Sequence, residues 1–132
     1  MNTAVASAHA PVEIVDPTGI DQLAWKSVPG CPGVRAAVLH SWDHTYDALI
    51  TYQPNAQTPG PPHTGVAHHI WVVAGSASIA RRRVVAGSYV FVAAGTPHPV
   101  TDVGPEGCTF LQISDVTAPD IPLWAATPVP HL

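Results

Sequence analysis

Charged residues are scarce in this chain of 132 residues: Asp, Glu, Lys and Arg together make up only 11% of it, against about 25% in ordinary soluble domains. Hydrophobic residues make up 46%, which indicates a folded domain and excludes a disordered acidic or basic segment. Among the charged residues the basic ones are fewer, with one Lys and four Arg against nine Asp and Glu. There is therefore no electrostatic case for a nucleic-acid partner. A surface with so few charges is expected to be buried against another subunit, so we expect a homodimer.

Long hydrophobic runs and a leader are also missing. No window approaches the ~18 consecutive apolar residues that a membrane span needs, and the start MNTAVASAHA lacks the basic and apolar regions of a signal peptide. We therefore expect a cytoplasmic protein without a membrane partner. Cys31 and Cys108 are too few for a disulfide framework or a CxxC metal site. Two reduced thiols are the simpler interpretation, and a single bridge between them stays open.

Proline and glycine divide the chain into three parts. Residues 1–33 sustain neither a helical nor a strand period, which predicts an extended N-terminal arm. Residues 117–132 are rich in Pro but keep Ile121, Leu123 and Trp124, so we expect an extended tail that lies across the body or a partner subunit. The residues between them, 34–116, are predicted to form a single β-barrel domain.

The predicted barrel consists of short runs rich in β-branched and aromatic residues, separated by Pro and Gly. No window offers an amphipathic helix of three turns, because Pro interrupts each one. The pattern predicts an all-β sandwich or barrel. The predicted strands are 34–40, 45–52, 68–75, 76–80, 84–87, 88–93, 97–100 and 108–114.

Eight histidines stand out, because imidazole is a common ligand of zinc, iron, nickel and copper. His9 and His131 lie in the terminal segments, and His40 and His44 flank a predicted hairpin turn, where a surface role is the simpler interpretation. The remaining four cluster around strand starts, within PPHTGVAHHIWVVAG and AAGTPHPV: His63, His68, His69 and His98.

Strand alternation separates two of these four histidines. In a regular barrel strand His68 shares a face with Ile70, whereas His69 shares the other face with Trp71, so only one of the two adjacent rings points inward. His63, from the preceding loop, and His98, from a later strand, can converge with that ring on one cavity. Three neutral imidazoles with an open fourth position are the ligand set of a catalytic metal centre.

Glycine and histidine also recur with a fixed spacing late in the predicted barrel. Gly87, Gly95 and His98 match the motif G(x)5PxG(x)2H(x)3N, in which Ala93 stands here for the Pro and Asp102 for the Asn. This is the second motif of the cupins, small antiparallel barrels that hold one metal ion. On these residues the chain resembles the cupin family.

The first cupin motif, G(x)5HxH(x)3-4E(x)6G, is met only in part. Counting back from Gly75 puts His68 at the Glu position, His63 at the second His and Pro61 at the first. Neither of the two Glu residues of the chain is near, so the usual set of three His and one Glu cannot form. The resemblance extends from Pro54 to Ile113. Within the family, the chain is similar to small bacterial cupins of the anti-sigma-factor sensor and three-His dioxygenase types.

The resemblance implies a double-stranded β-helix (jelly-roll) barrel with one divalent ion bound by His63, His68 and His98. If the loop is shifted, His69 takes the place of His68 or stands beside it. Imidazole ligands suit Zn, Fe, Ni and Cu better than Mn or Mg. Tyr52 and Gln112 end strands that border the cavity in a cupin, and we take them as candidate catalytic residues.

Three functions remain open at this point. The first is a metal-dependent enzyme acting on a small, oxygen-rich organic molecule, either as a dioxygenase or as a Lewis-acid cyclase, isomerase or lyase. The second is a non-catalytic cupin that senses or carries a ligand. The third is a barrel without metal that is retained for its interface, since the first motif has already changed.

Overall fold

The computed structural model describes residues 12–42, 45–58 and 66–115. The whole of the predicted tail and the beginning of the arm lie outside these residues, as do His9, His44, His63 and His131. The described part is nearly all β, which confirms the predicted fold class. Its elements are α1 Pro17–Ile20, β1 Lys26–Ser27, β2 Val34–Trp42, β3 Thr45–Tyr52, β4 Ala67–Ile79, β5 Arg82–Val85, β6 Tyr89–Val92, β7 Val100–Thr101 and β8 Cys108–Asp115.

All strand pairs are antiparallel, and β4 pairs with four other strands. The strands follow the order β1-β2-β3-β8-β4-β5, and β6 and β7 pair with β4 as well. Residues 67–75 of β4 pair with β8, and residues 76–79 pair with β5. The two halves of β4 therefore belong to two different sheets, which enclose the core between them.

The continuous strand β4 corrects the prediction of two strands, 68–75 and 76–80. A register irregularity lies between Val72 and Ala74. Before it the buried residues are even-numbered, and after it they are odd-numbered, as expected when a bulge adds one residue to a strand. Gly75 follows the bulge with φ +77°, and a Cβ there would collide with the carbonyl oxygen of Gly107.

The core lies between the inner faces of the two sheets. Its largest fully buried side chains are Ile70, Val72, Ile79 and Cys108. The rings of Tyr52 and Phe110 stack beside them with centroids 5.7 Å apart. No helix within the described residues is both long enough and apolar enough to cross a membrane.

The N-terminal segment packs on the outer face of the sheet that contains β2 and β3. α1 starts at Pro17, where the Asp16 side chain accepts a hydrogen bond from Gly19 N. Trp25 Nε1 then donates to the carbonyl of Ile20 over 2.9 Å, and β1 pairs with β2. The guanidinium of Arg35, on β2, lies 5.6 Å from the Trp25 ring centroid. The predicted arm thus contributes a helical turn and an edge strand.

Candidate functional site

A cavity of about 240 Å³ opens on the inner face of the sheet. It is the cavity that contains both buried histidines of the described chain, and most of its remaining lining is apolar. A larger groove of about 590 Å³ along β5 and β6 contains His98 but not His68. The residues lining the smaller cavity are Val28, Cys31, Val34, Ala36, Tyr46, Ile50, Tyr52, Thr58, His68, His98, Val100, Phe110 and Gln112.

His68 enters this cavity from the inner face of β4. Its cross-strand neighbours are Val92 on β6 and Ser114 on β8, and only 4% of the residue is exposed. Burial lowers the pKa of His68 below its ordinary value, and the neighbouring rings of His98 and His69 lower it further. The ring is therefore neutral at pH 7, which is the form that binds a metal ion.

His98 approaches from the loop that follows β6. A turn closed by the bond from Thr96 N to the Ala93 carbonyl passes through Gly95, whose φ is +77°. This turn presents the Thr96 carbonyl to His98 Nδ1 at 3.1 Å. Because a carbonyl oxygen only accepts, Nδ1 carries a proton, which leaves Nε2 as the nitrogen that can bind a metal ion. Metal-binding histidines are typically oriented in this way.

The two rings have centroids 5.9 Å apart, with an angle of 49° between their planes. They fit the donor set expected for a transition-metal ion, since burial favours the neutral form of His68 and a backbone carbonyl orients the ring of His98. His63, the expected third ligand, lies outside the described residues. Within the described ranges no three His, Cys, Asp or Glu side chains are grouped closely enough to hold a metal ion.

Tyr52 and Gln112 line the same cavity as the two histidines. Burial raises the pKa of the Tyr52 hydroxyl, and a hydrogen bond with the Thr58 side chain opposes that rise. Gln112 on β8 lies between Ala48 and Ile70 on the neighbouring strands, and both of these residues are buried.

Sequence reasoning missed Thr58 and the contribution of the predicted arm. Thr58 Oγ1 accepts from Val100 N over 2.9 Å, and Thr58 N donates to the Val100 carbonyl over 3.1 Å. These bonds attach the chain after β3 to β7, beside His98. Val28 and Cys31 of the arm also line the cavity. No local pattern marks these three positions, because their role arises from contacts with distant strands.

His69 lies on the opposite face of β4, as strand alternation predicts. Its Nε2 is 2.9 Å from the Asp115 carboxylate and its Nδ1 is 2.6 Å from the Tyr89 hydroxyl. Since the carboxylate only accepts, Nε2 carries a proton and donates it, while Nδ1 shares the second hydrogen bond with the tyrosine hydroxyl. His40 is also outside the cavity, with its Nδ1 2.5 Å from the Glu13 carboxylate.

Comparison with protein families gives a match over most of the chain. The model described as the ChrR cupin-like domain matches residues 16–115, a range that contains α1, all eight strands and both buried histidines. The resemblance seen in the sequence motifs is thereby confirmed. No curated protein matches the chain.

Several solved structures share the fold. The polyketide cyclase RemF from Streptomyces resistomycificus is 22% identical, with a TM-score of 0.66 over 83% of this chain and 82% of that one. A candidate acetylacetone dioxygenase from Methylibium petroleiphilum is 16% identical, with a TM-score of 0.61 over 85% and 78%. The complex of Rhodobacter sphaeroides SigE with the anti-sigma ChrR is 24% identical, with a TM-score of 0.60 over 73% and 50%.

Proposed function

The chain belongs to the ChrR cupin-like domain family, and on that basis we propose a metal-dependent enzyme acting on a small, oxygen-rich organic molecule. The proposed centre consists of His63, His68 and His98. The observation that carries the proposal is the pair of buried imidazoles with centroids 5.9 Å apart, one of which has its Nδ1 held by a backbone carbonyl. Packing alone does not explain a buried pair of this kind, since apolar side chains fill a core at lower cost.

The donor set favours Zn, Fe, Ni or Cu over Mn and Mg, because borderline ions prefer imidazole nitrogen and hard ions prefer oxygen. When bound, such an ion supplies Lewis-acid stabilisation of negative charge on a substrate oxygen. A set without a carboxylate leaves the double positive charge of the ion undiminished. An enolate or a β-diketone anion is therefore the favoured substrate class. The reaction is proposed to be a dioxygenation or a Lewis-acid cyclisation, isomerisation or lyase step.

Two side chains of the cavity are proposed to act on the substrate. The Tyr52 phenol is protonated at neutral pH, and burial raises its pKa further, so it can donate a hydrogen bond to a substrate oxygen. Gln112 offers both a donor and an acceptor, which suits it to orient the substrate. The apolar lining excludes water and accommodates the hydrocarbon part of the molecule.

A non-catalytic sensor is the second candidate. It is favoured by the family match itself and by the structural likeness to the complex that contains the anti-sigma ChrR. In that case the same histidines would bind the metal, and ligand binding in the cavity would produce a conformational signal and no turnover.

The metal content of protein purified without a His tag tests the proposal. We expect about one transition-metal ion per chain, loss of that ion in His98→Ala, and retention in the control His131→Ala. Loaded protein is then tested for O2 uptake with β-diketones and for zinc-supported cyclisation. Metal without turnover of any of these substrates would favour the sensor. Wild-type protein without metal would contradict the enzyme and the metal-binding form of the sensor, and would leave a metal-free barrel.

The remaining expectations on partners and location stay proposals. A small molecule is the proposed ligand, and nucleic acid is not expected. The low charge of the surface supports a homodimer formed through apolar strand faces and the terminal arms. The cytoplasm is the proposed location.

A further inference from the structure

The outer face of the sheet carries large apolar side chains on three adjacent strands. Trp71 and Val73 on β4, Tyr89 and Phe91 on β6, and Ile113 on β8 are each between 40% and 56% exposed. Cross-strand pairing joins them into one patch, since Trp71 lies beside Tyr89, and His69 lies between Phe91 and Ile113. We call this patch, defined by those five apolar residues, the open face.

The other half of the same outer face is already covered. Leu49 on β3 is 7% exposed and Ala37 on β2 is fully buried, although both lie on outward-facing positions. Ile20 and Trp25 of the N-terminal segment line a groove together with Leu49 and with Val73, at the border of the open face. The chain thus covers half of an apolar sheet surface with its own residues and leaves the adjoining half exposed.

Polar groups on the open face are satisfied within it. Asp115, His69 and Tyr89 are joined by hydrogen bonds of 2.9 and 2.6 Å. The outward-facing positions of β4, β6 and β8, all of which the structure describes, contain no Lys or Arg and no carboxylate other than Asp115. Covering the open face therefore leaves no polar group without a hydrogen-bond partner and buries no unpaired charge. Both would cost free energy and oppose the burial.

We infer that the open face is the interface with a second copy of this chain, an inference that rests on the proposed homodimer and assigns its surface. A partner for this face must be apolar and nearly uncharged, and the same face on a second copy meets both conditions. An apolar depression of about 210 Å³ lies between Trp71, Tyr89, Leu111 and Ile113, and the Phe91 ring is half-exposed next to it. A two-fold interface needs one surface that supplies both the ring and its pocket.

The size of the patch suits the centre of such an interface. Three half-exposed aromatic rings account for about 300 Å² of surface, since each buries roughly 150–250 Å² when fully covered. A stable interface buries about 800 Å² per partner, with an apolar centre and a polar rim. The open face supplies that centre.

Sedimentation of the untagged, full-length protein at micromolar concentration tests the inference. We expect the wild type to have about twice the chain mass of 13.8 kDa. Trp71→Lys and Phe91→Lys should each raise the dimer dissociation constant at least about 30-fold, as substitutions at an interface centre do. The matched control is Val85→Lys on β5, since Val85 is 54% exposed and lies outside the open face. It should leave the dimer intact.

Each outcome discriminates between possibilities. A monomeric variant counts as folded if its far-UV circular dichroism and its metal content are unchanged from wild type. Two variants are used because either one alone could misfold. A dimer that persists in both shows that another surface joins the subunits, and overturns the assignment but not the homodimer. A monomeric wild type overturns both. If removal of residues 117–132 then produces a dimer, the tail and not a second copy occupies the open face.

Discussion

His68 and His69 are consecutive residues on one strand, yet they have different surroundings. His68 lies on the inner face, 4% exposed, with a second imidazole as its neighbour. The His69 side chain lies on the outer face, about one third exposed, and is bonded to a carboxylate and a phenol. Both residues have the same chemistry, so the parity of the position alone decides which one is available to bind a metal ion.

The same contrast holds along the first half of β4. On the inner face Ile70 and Val72 are buried in the core, whereas Trp71 and Val73 on the outer face are each half-exposed. The inner residues stabilise the barrel, and the outer ones are available for association. This difference yields pairs of substitutions that differ in one position and match in chemistry.

The largest effect is expected from the two histidines. His68→Ala should abolish stoichiometric metal binding, because it removes a buried neutral ligand, whereas His69→Ala should change metal affinity by less than about tenfold, as expected for a residue outside the ligand set. Elemental analysis and a metal-competition titration measure both. Loss of metal from His69→Ala, with retention in His68→Ala, would show that His69 is the ligand and that β4 pairs with its neighbouring strands in a shifted register.

Stability should follow the same division between the two faces. Val72 is fully buried and Val73 is 50% exposed. Val72→Ala should lower the free energy of unfolding by about 2 kcal/mol, from lost burial and a residual cavity, and Val73→Ala by less than about 0.5 kcal/mol. Urea denaturation at one protein concentration measures the difference. Equal losses would contradict the observed alternation.

A smaller effect is expected when His68 changes its ligand type. His68→Glu places a carboxylate where the common cupin motif has one, and should therefore retain the metal. Since a carboxylate is a harder ligand than imidazole, the preference for Mn(II) relative to Zn(II) should rise by about tenfold. Competition between the two ions during reconstitution gives this ratio. The matched outer-face variant His69→Glu should leave the ratio unchanged.

The smallest effect concerns the two thiols. Burial raises the pKa of Cys108, which lies on the inner face of β8. Because the thiolate is the reactive form, alkylation of Cys108 should be several-fold slower than that of the partly exposed Cys31, and should need a higher pH. Mass spectrometry after iodoacetamide treatment follows both sites. Faster labelling of Cys108 would contradict its burial.

Local patterns in the sequence predicted much of this architecture. The strand at 45–52 has the predicted bounds, and alternation correctly separated His68 from His69, because both depend on short-range spacing. The join of 68–75 with 76–80 was missed, since the bulge near Val73 breaks the alternation and mimics a strand end. The edge strand at 26–27 was missed as well, because a two-residue strand exists only through its partner.

The candidate site was predictable to the extent that it depends on motif spacing. The turn through Gly95 and the position of His98 follow from neighbouring residues. The hydrogen bonds of Thr58 to β7 and the place of Cys31 beside the cavity join residues far apart in the chain. Pairwise contacts of this kind leave no periodic signal, which is why they were not foreseen.

The long strand β4 has a consequence for folding. Its first half completes one sheet and its second half completes the other, with Gly75 at the junction packed against Gly107. Neither sheet is therefore complete until the whole of β4 is in place, so we expect the two sheets to gain and lose structure together. Amide protons of Ile70 and Ile79, on opposite sides of Gly75, should then exchange with solvent through the same global opening. Because strands distant in sequence must meet before either sheet closes, folding should be slow for a chain of this length.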